Sequence, residues 1–135
     1  MKETGVFLCE KAIIDSRVNM ISLINLFEGV IQPIGLPMVI PNITLVCVFD
    51  KENDTQDVYE AEMTVVQNSR IIVPPMPANI NFQSSKSTRL ILEFNGLILQ
   101  NEGDLTFNIK VKNPEYCIKK TLKILPVVKI QNKTM

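Results

Sequence analysis

The chain has 135 residues, with 14 basic and 14 acidic side chains and a formal net charge of zero at pH 7. This length fits one domain, and the charge balance provides no general attraction to nucleic acid or other polyanions. The absence of His excludes His-dependent catalytic triads, His-containing zinc sites and imidazole pH switches. With 46% hydrophobic residues, the chain has a globular composition, and we expect a core that needs no metal or disulfide.

Apolar and polar residues alternate along much of the chain, and Ile and Val greatly outnumber Ala, which favours strands over helices. We predict strands over 6–14 and 20–30, joined by a tight polar connection. The segment 43–49 is apolar on both faces and is predicted to be a central strand. The segment 31–41 contains three prolines, and we expect it to cross from one sheet to the other.

Further strands are predicted over 59–65, 89–99, 105–112 and 118–124, with turn residues between them. Asn95-Gly96 indicates a bend within the second of these strands, because Gly adopts backbone angles that other residues avoid. About eight strands and no helix predict an all-β antiparallel sandwich, immunoglobulin-like or C2-like, with Greek-key topology. We expect residues 1–130 to form this one domain and 131–135 to be a frayed tail.

The three cysteines, Cys9, Cys47 and Cys117, are far apart, and each lies in an apolar strand-like run. We interpret all three as small buried hydrophobic residues rather than as a disulfide framework. Neither a secretory signal nor an apolar run of membrane-spanning length is recognisable. We therefore expect a cytoplasmic protein.

The acidic stretch from Asp50 to Asp57 offers the oxygen ligands that calcium prefers. Its spacing departs from that of a helix–loop–helix calcium loop, because position six is Thr55 and position twelve is Ala61. A calcium site of less regular geometry would need a second acidic loop, and 101–104 is the nearest candidate. We predict a solvated turn at this stretch and expect neither a metal nor a cofactor.

Two segments are candidate partner surfaces. One is a set of lysines predicted to share the exposed face of a C-terminal hairpin: Lys110, Lys112, Lys119 and Lys123. Because acidic residues concentrate in 50–62, the molecule is predicted to be neutral but dipolar. No Arg and few aromatic residues accompany these lysines, so we do not expect nucleic-acid binding.

The second candidate surface is Pro74-Pro75-Met76-Pro77. Because proline lacks an amide hydrogen, such a run is typical of a loop that follows a strand, with Met76 as an apolar tip for a protein partner. No nucleotide-binding or hydrolase motif occurs, and we expect no enzymatic activity. A carboxylate pair assembled by the fold, for instance Glu28 with Glu93, stays open at this point.

The segment 12–28 resembles the opening of a family of small uncharacterised bacterial proteins. Its apolar run ends in Asp15-Ser16-Arg17, and after a short turn a second apolar run ends in Phe27-Glu28. A proline-bounded stretch at 36–41 and the strand at 43–49 continue the resemblance, whereas 102–107 lacks the Pro and Tyr of that family. The resemblance implies a compact β-sandwich and carries over no catalytic or binding residue. We interpret Asp15 as a turn cap.

We therefore expect a non-enzymatic cytoplasmic protein-binding module, or a subunit of a bacterial multi-protein complex. Its partner would be another protein or a second copy of the chain. Two alternatives stay open: a structural subunit of a prophage or phage-like particle, and a sandwich that binds calcium or a small ligand.

Overall fold

The computed structural model describes residues 1–53 and 56–128, and within these ranges it contains nine β-strands and no helix. The strands are β1 (Lys2–Asp15), β2 (Met20–Leu26), β3 (Val30–Ile31), β4 (Met38–Asp50), β5 (Val58–Gln67), β6 (Arg70–Asn81), β7 (Ser87–Leu99), β8 (Gly103–Lys112) and β9 (Glu115–Ile124). The predicted all-β class is thus confirmed. In these two ranges, no helix is available that could cross a membrane. The predicted frayed tail at 131–135 lies outside the described residues.

The strands form two packed sheets. The first sheet has the order β2-β1-β4-β7, and the second has the order β3-β9-β8-β5-β6. All pairings are antiparallel except that of β3 with β9. Because β6 and β7 lie side by side where the sheets meet, the order around the sandwich includes β8-β5-β6-β7. Three consecutive strands and a fourth that returns beside the first define a Greek key, as predicted.

The core lies between the sheets and is formed by alternate residues of each strand. In β8 the inward residues Leu105, Phe107, Ile109 and Val111 are all buried, which confirms the alternation predicted for 105–112. Phe107 packs against Phe94 of the opposite sheet with ring centroids 5.6 Å apart. Each such buried side chain contributes about 1.5–3 kcal/mol of transfer free energy.

The central position predicted for 43–49 is confirmed, because β4 lies between β1 and β7. The segment before it crosses between the sheets as predicted, although the strand begins at Met38. Gly96 has a φ of +71° and stands where β7 passes Pro41, between two paired positions of the ladder. The bend predicted at Asn95-Gly96 is therefore present, and it uses the backbone freedom of glycine.

Part of β1 leaves the first sheet together with β2. β1 pairs with β4 as far as Cys9, opposite Thr44, and over 11–15 it pairs only with β2. The departure coincides with Asn25, which has a φ of +54° in the left-handed region. We call residues 10–25 the arm.

The arm folds back over the outer face of the first sheet. At its tip, the guanidinium of Arg89 in β7 donates hydrogen bonds to the backbone carbonyl and the side-chain oxygen of Asn19. Ile14 of the arm lines one depression together with Val48 and Ile91, which are outward-facing residues of β4 and β7. Contact at the tip and at the root thus holds the arm across the sheet.

The surface beneath the arm is buried. Val46 and Cys9 have no exposed area, and Thr44 is 3% exposed, although all three belong to the outer face of the sheet. The hydroxyl of Thr44 donates to the backbone carbonyl of Glu10 at 3.3 Å. The arm therefore converts an outer face, which is ordinarily wet in an antiparallel sheet, into a second and smaller core.

Candidate functional site

The proline-rich segment lies in β6, an edge strand of the second sheet, and the prediction of a loop was wrong. β6 pairs with β5 at Val73 and again at Met76, so Pro74 and Pro75 form a bulge between these positions. Pro77 also belongs to the paired strand. An edge strand tolerates these prolines because its outer side has no partner that would need their amide hydrogens.

An apolar groove runs between β6 and β7, two edge strands that lie side by side without a hydrogen-bonded ladder. Its volume is about 420 Å³. The apolar lining consists of Ile72, Val73, Met76, Phe94, Leu97 and Ile98. Glu93 and Asn95 supply polar groups from the earlier part of β7. We call this feature the seam groove.

Exposed apolar side chains extend the seam groove onto the neighbouring surface. Ile98 is 53% exposed and pairs with Val39 of β4, which is 55% exposed. Ile71 is 63% exposed and shares a second depression with Ile98. Contiguous exposed apolar surface of this kind marks interaction sites in folded proteins. Met76 is a candidate from its sequence context alone, whereas these neighbours are not, because β4, β6 and β7 come together only in the fold.

The four candidate lysines lie on the outer face of the second sheet, and all of them are exposed. They are Lys110 and Lys112 in β8 and Lys119 and Lys123 in β9. They do not form a continuous basic patch. Lys110 is opposite Glu62 of β5, and its ammonium lies 3.6 Å from the carboxylate of Glu115.

Acidic residues lie beside these lysines. Glu62, from the acidic segment expected at the other pole, belongs to β5, which is next to β8, and Asp104, outside that segment, is paired with Lys123. The predicted dipole is thus divided into short neighbouring stripes of opposite charge. The separation seen along the sequence is lost because β5 and β8, which are distant in the chain, are neighbours in the sheet.

Asp57, at the end of the acidic stretch, joins two loops at one end of the sandwich. Its carboxylate accepts hydrogen bonds from the ammonium of Lys51 at 2.9 Å and from the backbone amide of Ser84 at 3.0 and 2.9 Å. These bonds, first of all that of Lys51, hold the pKa of Asp57 below its ordinary value. The ammonium of Lys51 also lies 5.8 Å from the ring centroid of Phe82. Asp57 therefore has a structural role that leaves little capacity for a cation.

The two acidic loops considered for calcium lie at opposite ends of the sandwich. The stretch 50–57 precedes β5, whereas 101–104 lies at its far end, where Gln67 donates to the carbonyl of Asn101 at 2.8 Å. A ten-residue strand separates them by about 33 Å. They cannot share one ion. In the two described ranges, no group of three or more Cys, Asp or Glu residues is arranged to hold a metal.

The cysteines differ in exposure. Cys9 and Cys47 are buried, as predicted, and burial raises the pKa of the Cys47 thiol to about 12. Cys117 is exposed, so its predicted burial was wrong. It is paired with Lys110, whereas its neighbour Ile118 points into the core. A local apolar run identified the strand but not which of its faces is buried.

The remaining sequence candidates have local roles. The amide of Arg17 donates to Asp15 Oδ1 at 3.1 Å, and its guanidinium donates to the same carboxylate, which lowers the pKa of Asp15. This is the predicted turn cap. Glu93 lines a polar depression at the root of the arm together with Glu10 rather than with Glu28.

The chain is therefore a small Greek-key β-sandwich with an arm over one face and an apolar seam groove at one edge. Residues 5–117 match the model of the Family of unknown function (DUF6941), and the chain belongs to this family. The predicted membership of an uncharacterised family is confirmed, and the match extends well beyond the N-terminal segment that carried the resemblance. No curated protein and no solved structure matches the chain.

Proposed function

We propose that this protein is a non-enzymatic cytoplasmic protein-binding module, a subunit of a bacterial multi-protein complex. Its seam groove binds an apolar segment of another protein. The observation that carries the proposal is the seam groove, which continues into Ile71 and Ile98, both more than half exposed. Contiguous exposed apolar side chains of this kind are typical of a surface that a protein partner covers.

The prolines of β6 decide how the partner is held. A partner that added a strand to this edge would need backbone donors, and Pro74, Pro75 and Pro77 provide none. Recognition therefore relies on side chains that enter the groove between Met76 and Ile98. This mode fits an apolar segment whose affinity is concentrated in a few anchoring side chains.

Glu93 indicates the charge that the bound segment of the partner should carry. It is exposed and lines the seam groove, and within the described residues it has no ion pair. A Lys or Arg in the partner, beside its apolar anchor, would meet this carboxylate. We therefore propose a partner segment that is apolar and carries a basic residue.

The cytoplasmic assignment is supported by the cysteines. Cys117 is an exposed free thiol, which persists in a reducing compartment and is a liability in an oxidising one. Cys9 and Cys47 belong to opposite faces of the first sheet, so they cannot form a disulfide with each other.

The test is an affinity pull-down of the tagged protein from a lysate of its source organism, repeated with Ile98→Glu and Glu93→Lys. Ile34→Glu is the matched control, because Ile34 is 96% exposed and lies outside the seam groove. We expect one protein at near-equal stoichiometry, lost with Ile98→Glu and retained with Ile34→Glu. Removing a central anchor costs about 2 kcal/mol or more, so its affinity falls roughly thirtyfold.

Glu93→Lys distinguishes charge recognition from apolar contact alone. We expect weaker recovery than with the unchanged protein, and partial rescue when the basic residue of the partner is replaced by an acidic one. Recovery of the same proteins by all variants would contradict binding at the seam groove.

A further inference from the structure

β2 is an unprotected sheet edge. Its sequence, Met-Ile-Ser-Leu-Ile-Asn-Leu, has no charged residue and no proline, and beyond β1 it has no neighbouring strand in the described chain. Natural sheet edges are ordinarily blocked by charges, prolines, bulges or very short strands, because a free edge pairs with any compatible strand.

The other three edge strands carry such blocks. β3 has two residues, β6 contains three prolines, and β7 carries Arg89, Glu93 and the bend at Gly96. Among the edges in the described ranges, β2 alone lacks protection. This contrast within one molecule indicates that β2 is kept free for pairing.

We propose that β2 pairs with β2 of a second copy, antiparallel and about a two-fold axis at Ser22. In this register Met20 of one copy faces Ile24 of the other, and Ile21 faces Leu23. The flat part of the strand ends at Asn25, whose left-handed backbone turns the chain. The two arms then form one four-stranded antiparallel sheet.

A second copy fits this edge because the strand is self-complementary. Met20 and Ile24 are 65% and 39% exposed in the single chain, and pairing places them against each other on one face of the new sheet. Ile13, opposite Ser22 on β1 and 45% exposed, extends this face. Since β2 carries no charge, two copies bring no like charges together at the interface.

Opposite charges at the proposed axis provide the decisive test. Ser22 is exposed, so Ser22→Lys and Ser22→Glu leave the fold of the single chain intact. In the proposed dimer each substitution sets two like charges directly opposite each other, which opposes strand pairing. We expect the unchanged protein to sediment as a concentration-dependent dimer, each variant alone as a monomer, and an equal mixture of the two variants as a dimer. Ser69→Lys, in the β5–β6 turn, is the control and should dimerise like the unchanged chain.

The register is tested by disulfide formation in a Cys117→Ser background, which removes the exposed thiol. Paired residues on neighbouring antiparallel strands have Cα atoms about 4.5–5.5 Å apart, within the range of a disulfide. Ser22→Cys should therefore form an intermolecular disulfide about tenfold faster than Ser69→Cys, because the paired thiols have a high effective concentration. Met20→Cys and Ile24→Cys should cross-link when mixed and not when alone.

The proposal is wrong if the unchanged protein stays monomeric at every concentration. It is equally wrong if a dimer persists in Ser22→Lys, since the contact would then lie elsewhere. The proposal is independent of the seam groove. The mixture of Ser22→Lys and Ser22→Glu is expected to dimerise without any partner protein, and Ile98→Glu leaves β2 unchanged.

Discussion

Arg89→Ala should release the arm without unfolding the sandwich. The side chain of Arg89 makes two hydrogen bonds to Asn19 and joins the tip of the arm to β7. Because both bonds are exposed to solvent, we take the lower part of the usual net range, about 0.5–1 kcal/mol for each bond, which gives about 1–2 kcal/mol for the pair. Opening of the arm should therefore become about 5 to 30 times more frequent.

The assay is native-state hydrogen exchange, read by mass spectrometry for peptides that cover the arm and for peptides of β5. Exchange in the arm should accelerate by this factor in Arg89→Ala, whereas exchange in β5 follows global unfolding and should change little. Arg70→Ala is a suitable control, because Arg70 lies at the start of β6 and belongs to the seam side of the molecule.

Two results would refute this reasoning. Unchanged exchange in the arm would mean that the buried surface beneath it, around Thr44 and Val46, rather than Arg89, holds it closed. Equal acceleration in the arm and in β5 would mean that the arm is part of the global folding unit. The first outcome would separate the closing of the arm from the hydrogen bonds at its tip, whereas the second would make those bonds part of the stability of the whole fold.

Three further predictions concern buried and charged groups. Tyr59→Phe should leave the melting temperature unchanged or raise it, because the buried hydroxyl of Tyr59 has no hydrogen-bond partner among the described residues and burying it costs about 1–3 kcal/mol. The stabilisation by Asp57, whose folded-state pKa is lowered, should be complete above about pH 4 and lost as the pH falls through that lowered pKa. Asp57→Asn should therefore lower the melting temperature at neutral pH, and the melting temperature of the variant should fall less as the pH is lowered. A pH profile identical to that of the unchanged protein would contradict the role of Asp57. Native protein should expose one thiol, Cys117, to a disulfide reagent, because Cys9 and Cys47 are buried and burial raises the pKa of both thiols. Two or more fast thiols would contradict the burial described here.

The sequence allows the sandwich to be predicted because its strands alternate strictly. In 105–112 every second residue is apolar, and each of these residues is buried. The bend at Gly96 and the turn cap at Asp15 were predictable for a similar reason, since both depend on residues close together in the chain.

The surfaces proposed to bind partners could not be predicted in the same way, because they depend on strand order. Pro74 and Pro75 are typical of a loop, and only their place at an edge of the second sheet allows them within a strand. Ile71, Val39 and Ile98 become one surface because β4 and β7 pair and β6 lies beside them. The arm was predicted as a hairpin, but its return to Arg89 is a contact between residues 70 positions apart.

The seam groove and the β2 edge, if both are used, affect partner binding in different ways. Ile98 and Arg89 are nine positions apart in β7, about 30 Å along the strand, so the far end of the seam groove is distant from the tip of the arm. Glu93 and Asn95, however, border both the seam groove and the depression at the root of the arm. A dimer formed through β2 presents two seam grooves, and a partner displayed in several copies would be bound with avidity. Ser22→Lys should therefore leave binding to a single partner segment in solution unchanged while weakening capture on a surface densely coated with that segment. Equal loss in both formats would mean that the strand pairing shapes the seam groove itself, and that the two surfaces are one site.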